Sequence, residues 1–525
     1  MDKIKNNIKN VLPCIVYGGI CGTLTGAVIF FFKYAASRAE ALSRLLYSSA
    51  KRSPIYIILT FAALITLALF MILIHKKAPE SKGGGIPRSE GVLRGLLPIK
   101  WLRTFIGTVI GSMISFFAGL PLGSEGPAVL IGTSVGSMCV SGSKNKSAWS
   151  RYVMTSGAGA GFAVATGAPL SGVLFALEEI HKRFTPLLVL SVSVSVVCAT
   201  YVNRLLCQLF GIGHTLFNIT ALGRFELDSI PFLLLLGILV SAAVAIYDAS
   251  IAAIIRFTAK HKKHLPTAAK IIAVFVITGV FGFIFTEGIY NGHHLIDDIL
   301  HDNMNALLLI GILSVRFLLM LLCTDSGVTG GMFIPALAIG ALVSAIISKL
   351  MPLLGLSSEL TNAVILLGMC AFIGGTLRAP LTAVVLFVEL TGQLTDIFFI
   401  TIVIFTVNAI TELIHLTPFY DSALEKMVEN QYKGREAVIA HFTAKISSDA
   451  FVIGKAVRDV MWPNSTVVVS IKREDENSGD SSNDGEKKLY AGDTLILRSQ
   501  FYDENELIAL LHGLLGKDSD IHKMA

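Results

Sequence analysis

Glu125 stands inside the segment GSEGP at 123–127, with apolar stretches on both sides. If those stretches lie in a bilayer, the carboxylate costs on the order of 3 kcal/mol, and a residue retained at such a cost is functional by default. Two further segments share its pattern of a glycine-rich turn, a proline and an apolar run: GGGIP at 83–87 and GGMFIP at 330–335. Proline suits the first turn of a helix, where its missing N–H is not needed. Each segment therefore reads as a helix N-terminus, with free N–H groups and a partial positive charge. Glycine lets a ligand approach the backbone closely. An anion stripped of water needs donors of this kind, and they add no full buried positive charge. Any one segment is also compatible with an ordinary turn, and Glu125 with a cap at a membrane surface. Three such segments together favour an anion site. A carboxylate among them could occupy that site itself and leave it when protonated.

Other candidate residues carry weaker signals. Glu178 and Glu179 end an apolar run and precede His181-Lys182-Arg183; charge pattern alone places both at an interface, paired with those bases. Tyr420 follows Pro418-Phe419 after the last apolar run and reads as an interfacial aromatic. Gly132, Ser134 and Gly136 fit a nucleophile elbow, but that motif needs a strand before it and a helix after it. Here it falls inside an apolar helical stretch, where small residues serve close helix packing. No enzyme reading follows. The seven cysteines include no C-x-x-C pair and lie mostly in apolar runs, which argues against a metal site, a disulfide framework or a cofactor.

The elements that position these residues belong to a membrane. Of 525 residues, 53% are hydrophobic and only 15% charged, against about 25% charged in soluble domains. Mean hydropathy is +0.68. Apolar runs at 11–32, 55–74, 187–199, 231–246, 271–285 and 307–323 are of the kind that a bilayer of roughly 20 residues per helix requires. Many runs are interrupted by glycine or proline, as helices are where they line a cavity. The net charge is +6, and its basic residues form short loop clusters at Lys3, Lys5, Lys9 and at Lys260, Lys262, Lys263, without the aromatic interleaving of a nucleic-acid site. Basic loops face the cytoplasm, which places the N-terminus there.

The membrane part contains an internal repeat. APLSGVLFALE at 168–178 returns as APLTAVVLFVE at 379–389, an offset of 211. PAVLIG at 127–132 returns as PALAIG at 335–340, an offset of 208. Two related halves with a site between them are a recurring plan of transporters; the repeat alone leaves open whether the halves are parallel or inverted. Composition changes near Gln431. Beyond it, 466–471 reads as a strand, 474–488 as a long polar loop, 489–497 as Ala491-Gly492-Asp493 and then a second strand, and 504–515 as a helix, a small α+β domain.

Together GGGIP, GSEGP, GGMFIP and the APL repeats resemble the CLC family of chloride channels and chloride/proton antiporters, over about residues 10–430. The resemblance implies an all-α polytopic fold with two inverted repeats and broken helices, here spanning 1–432 with halves near 10–205 and 225–430, and a homodimer with one pathway per subunit. It implies chloride and protons as the transported partners, most simply in antiport, with a passive chloride channel as the alternative. Glu125 matches the external gating and proton glutamate, and Glu179 the internal proton glutamate. The anion would be held by backbone near Gly84, Gly85, Ser124, Gly126, Met332 and Phe333 and by the Tyr420 hydroxyl. Gly84 departs from the family, which usually carries serine there, and Ser124 replaces a basic residue that often precedes the gating glutamate. The tail, 436–525, resembles RCK (TrkA-C) domains through WPNSTVVVSIKRE and LYAGDTLILRS. That likeness implies a small-molecule regulator, and raises a potassium-handling protein as a rival, although no TVGYG-like filter is present. The expected location is the plasma membrane, with both termini cytoplasmic.

Overall fold

The computed structural model describes residues 2–50, 53–142, 146–213, 217, 223–261, 266–301, 304–354, 357–394, 396–463, 465–473 and 485–524. Lys262, Lys263 and residues 474–484 of the long polar loop lie outside the described residues. Among those described, seven helices are long and apolar enough to cross a bilayer: Val11–Ser49, Pro54–Lys77, Pro186–Phe210, Leu227–Lys260, Thr267–Ile284, Ala306–Ser326 and Ser358–Leu377. The six apolar runs read from the sequence lie in the first six, apart from Phe285, which caps Thr267–Ile284.

Other apolar helices are too short to span. Glu125–Cys139 has 15 residues and Phe333–Ser348 has 16, so each is about 22–24 Å long against a hydrocarbon core of about 30 Å. Each must end inside the protein. Glycines let them do so closely packed. A Cβ on Gly161 would lie 2.3 Å from the Ala128 carbonyl oxygen, one on Gly132 2.0 Å from that of Gly157, and one on Gly136 2.5 Å from that of Val153. These contacts step by one helical turn in opposite directions, so Glu125–Cys139 runs antiparallel to Lys146–Thr166 in a fixed register.

The repeat folds as two halves of opposite direction. The Glu389 carboxylate accepts hydrogen bonds from Leu170 N at 2.7 Å, Ser171 N at 2.8 Å and Ser171 Oγ at 2.7 Å. Its repeat mate Glu178 accepts from Leu381 N at 3.0 Å, Thr382 N at 2.8 Å and Thr382 Oγ1 at 2.7 Å. Each APL helix thus ends at the start of the other, which makes the pair antiparallel. A second crossing joins equivalent residues: Gly123 N donates to Gly331 O at 2.7 Å and Gly331 N to Gly123 O at 2.8 Å. The local two-fold relation passes between these glycines, and the repeat is an inverted one.

The tail forms an antiparallel sheet in the order β2-β3-β1-β4 with β1 Val438–Lys445, β2 Val467–Lys472, β3 Thr494–Phe501 and β4 Ile521–Lys523, covered by the helix Glu504–Leu515. The second strand read from the sequence is β3, which begins at Thr494 directly after the Tyr490–Asp493 turn with Gly492 at φ +88°. Strands β1 and β4 were not expected at all. The tail docks on the N-terminal end of Lys146–Thr166: Arg151 Nη1 donates to Trp462 O at 2.8 Å and Tyr152 Oη to Asp459 O at 2.7 Å.

The reciprocal caps carry a prediction. Glu389→Ala strips three acceptor contacts from the first turn of the other half and should cost about 2–4 kcal/mol. A thermal unfolding midpoint in detergent equal to that of the unaltered protein would contradict the capping role.

Candidate functional site

Three glycine turns meet at one place. Gly83 N donates to Gly327 O at 3.0 Å and Gly330 N to Gly83 O at 3.3 Å, beside the Gly123–Gly331 pair. Gly85, at φ +82°, caps the helix Ile86–Leu93, and a Cβ on it would lie 2.4 Å from Gly126 O. A Cβ on Gly126 would lie 1.9 Å from Gly84 O and 2.8 Å from Gly331 Cα. No side chain fits in these contacts, so three helix N-termini converge: Ile86–Leu93, Glu125–Cys139 and Phe333–Ser348. Their free N–H groups and dipoles favour negative charge. Gly84 differs from its neighbours. A Cβ there would meet only Gly330 O, at 3.7 Å, so a small side chain would fit.

Negative charge is already present. Glu125 opens its helix and is fully buried. Its Oε1 accepts from Ser124 Oγ at 2.9 Å, while Oε2 makes no hydrogen bond of good geometry. The N–H dipoles of Glu125 itself and of Ile334 act on the carboxylate, as does the charge of Lys33. Ile334 belongs to the first turn of Phe333–Ser348, so the carboxylate stands before the N-terminus of the opposite half. The side chain folds back so far that a Cβ on Gly123 would lie 2.3 Å from Oε2. Phe333 holds the repeat position of Glu125. It is fixed by edge-to-face contact with Phe162, 4.9 Å between centroids, and Phe162 stacks on Phe175 at 4.1 Å. Met332 caps the same helix, with its sulfur 3.4 Å from Thr324 Oγ1.

Glu179 is 2% exposed, and its Oε1 has no hydrogen-bond partner. It lies in a π-helical turn, Ala176–Ile180, a local irregularity often found at functional sites. Neither glutamate of the pair is solvated as their charge pattern suggests: Glu178 caps the opposite half, and Glu179 points inward. The neighbouring base Lys182 bridges Asp421 at 2.6 Å and Glu90 at 3.2 Å, and Glu90 also bonds Arg94 at 2.8 Å. A cavity of about 540 Å³ on the tail side reaches Glu179, Lys182 and Asp421. Tyr420 is buried in the first turn of Phe419–Gln431. The charges of both Glu179 and Glu125 act on its hydroxyl, so it stands in electrostatic reach of both carboxyls.

The structure thus brings Gly84, Gly85, Ser124, Glu125, Gly126, Met332 and Phe333 to one centre, with Glu179 and Tyr420 toward the tail. Ser134 is apart from it: its hydroxyl bonds Leu130 O at 2.8 Å within a helix, with no elbow. Sequence reasoning missed Glu90 and Asp421, whose partners come from distant segments. It also missed Lys33, whose signal was a lone lysine one residue beyond the apolar run 11–32.

Comparison with known proteins finds relatives of one kind. A family described as "Voltage gated chloride channel" matches residues 66–412. The H(+)/Cl(-) exchange transporter ClcA of Salmonella arizonae is 29% identical over 435 residues, covering 81% of this chain and 90% of the relative. A slow cyanobacterial Cl-/H+ antiporter of known structure superposes with a TM-score of 0.73 at 28% identity, over 80% of this chain and 99% of that one. A CLC-type fluoride/proton antiporter shares the fold, with a TM-score of 0.61 at 18% identity over 77% of this chain and 96% of that one.

The glycine contacts separate two substitutions of equal size. Gly126→Ala should destabilise the protein by at least about 2 kcal/mol, because two backbones must move apart. Gly84→Ala should stay within about 1 kcal/mol of the parent. Equal thermal midpoints for the two variants in detergent would contradict the crossing described here.

Proposed function

The chain belongs to the voltage-gated chloride channel family, and from that premise we propose that it carries chloride across the membrane in exchange for protons. The observation that supports this reading best is that two buried carboxyls lie in electrostatic reach of Tyr420, one among helix N-termini and one beside a tail-side cavity. In this mechanism Glu125 is both gate and external proton acceptor. Ionised, it satisfies the converging N-termini and excludes the anion. Protonated, it loses its claim on those dipoles and leaves, and chloride takes the donors near Gly84, Gly85, Ser124, Gly126, Met332 and Phe333. The Tyr420 hydroxyl completes the coordination from the tail side. Glu179 takes protons from the tail-side cavity and passes them toward Glu125. Its unpartnered oxygen suits a proton carrier more than an anion ligand.

The protein acts in this proposal as a transporter and not as an enzyme. Residues 1–432 form the membrane domain and 436–525 a regulatory domain open to a small-molecule ligand. Two copies form the homodimer, and both termini face the cytoplasm of a cell whose plasma membrane the chain crosses. The docking of the tail through Arg151 and Tyr152 supports a regulatory role, since it reaches the same face as the cavity next to Glu179.

Two variants test the roles of the carboxyls in purified protein reconstituted into vesicles, with chloride and proton movement recorded together. Glu125→Gln should abolish chloride-driven proton transport while chloride flux persists. Glu179→Gln should lower proton transport at least about tenfold with chloride flux retained. Proton transport at the parent rate in either variant would refute the assigned role.

A further inference from the structure

A cavity of about 370 Å³ lies at the end of Lys146–Thr166 remote from the tail, and Ser124 and Lys33 both line it. It is the vestibule through which an anion would approach the gate from the far side. The register of Glu125–Cys139 on Lys146–Thr166, stepping through Gly136 and Val153, Gly132 and Gly157, and Ala128 and Gly161, brings Glu125 level with Val164. Lys33, from the first helix, donates to Val164 O at 3.2 Å and Ala165 O at 2.8 Å. Those carbonyls belong to the last turn of their helix, where a cation is favoured. An ammonium has three N–H donors, so one remains beyond these two bonds.

The other charges around the vestibule largely answer one another. Arg44 bonds Glu40 at 2.8 Å and lies over the Tyr290 ring at 4.3 Å. Asp297 supplies a second carboxylate and His293 and His294 two imidazoles. Behind the wall, fully buried Arg316 donates through Nη2 to Asn291 O at 2.5 Å, while its Nε and Nη1 have no partner; Asn291 lines the cavity. The lining itself is balanced, with Lys33 and Arg44 against Glu40 and Asp297, and Arg316 behind the wall adds a third cation. Lys33 differs from Arg44 in that, among the described residues, the carboxylate whose charge acts on it is Glu125 itself. Ser124 brings no charge and spends its hydroxyl on Glu125.

We infer that Lys33 is the positioning residue for anion capture: a fixed counter-charge, set by the end of Lys146–Thr166, that draws the transported anion from the far-side cavity to the place Glu125 vacates. A cation held at membrane depth is costly unless it serves such a purpose, and in a water-poor site its field raises the local concentration of anions. The inference rests on the transport reading, which the flux of the unaltered protein in the same vesicles tests separately.

The test varies chloride on the side the cavity faces. Lys33→Gln should raise the half-saturating chloride about tenfold, with turnover at saturating chloride changed less than about twofold. Lys33→Arg should restore the parent value. In the unaltered protein, an impermeant salt added to the same side should raise the half-saturating chloride by screening, a result that needs no variant to fold. A Lys33→Gln protein with lowered turnover and unchanged half-saturation, a Lys33→Arg protein no better than Lys33→Gln, or a half-saturation indifferent to impermeant salt would each overturn the inference.

Discussion

A bare anion in a bilayer has lost its water, and the groups that replace water must not bind it so tightly that it stays. A full buried positive charge at the centre would do that. Backbone N–H groups at helix ends supply a fraction of a charge each, and most features of this structure follow from using them. The helices that point at the centre must stop there, so Glu125–Cys139 and Phe333–Ser348 are too short to span. Their ends must crowd together, so glycine occupies the contacts at Gly85, Gly123, Gly126 and Gly331. Half-length helices leave unpaired backbone groups at membrane depth, and the reciprocal caps of Glu178 and Glu389 answer this for the APL pair by having each half satisfy the other. Full positive charge is kept to the periphery, as at Lys33 and Arg316.

In the proposed exchange, the same arrangement makes Glu125 a competitor of the anion it would admit. A carboxylate and a chloride want the same dipoles, and protonation decides between them. This links the charge state of one side chain to occupancy of the site, and it is the physical origin of exchange in the account given above. The second carboxyl, Glu179, is separated from this competition. It lies toward the tail beside Lys182, Asp421 and Glu90, where an open cavity reaches it. Protons and anions can then share the centre without sharing the whole path.

Much of this was legible in the sequence because the requirements are local. A glycine turn, a proline and an apolar run must be contiguous to start a helix, so all three segments could be read, and Glu125 stood out inside one of them. The inverted relation of the halves was not legible from spacing alone, because direction is a property of the fold. Charge pattern alone misplaced Glu178 and Glu179: Glu178 caps Leu381 and Thr382, some two hundred positions away, and Glu179 is buried although the charge of Lys182 acts on it. In the tail, the β-branched run at 466–471 gave a strand within one residue of β2. Strand β1 was missed because 438–445 mixes His441 and Lys445 with small and apolar residues. Lys33 was invisible for a similar reason: nothing local distinguishes a lysine that binds the end of another helix from one that marks the end of a span.

The central claim is that the ionised Glu125 carboxylate and chloride exclude each other from one site, so that protonation of Glu125 admits the anion and the two ions move in a coupled way. It is tested most directly by placing the unaltered protein in sealed vesicles with a chloride gradient and no initial proton gradient, and following external pH. The account predicts that chloride running down its gradient drives protons uphill in the opposite direction. Chloride movement that dissipates the gradient with no accompanying proton movement would contradict it and leave a passive chloride pathway on the same fold.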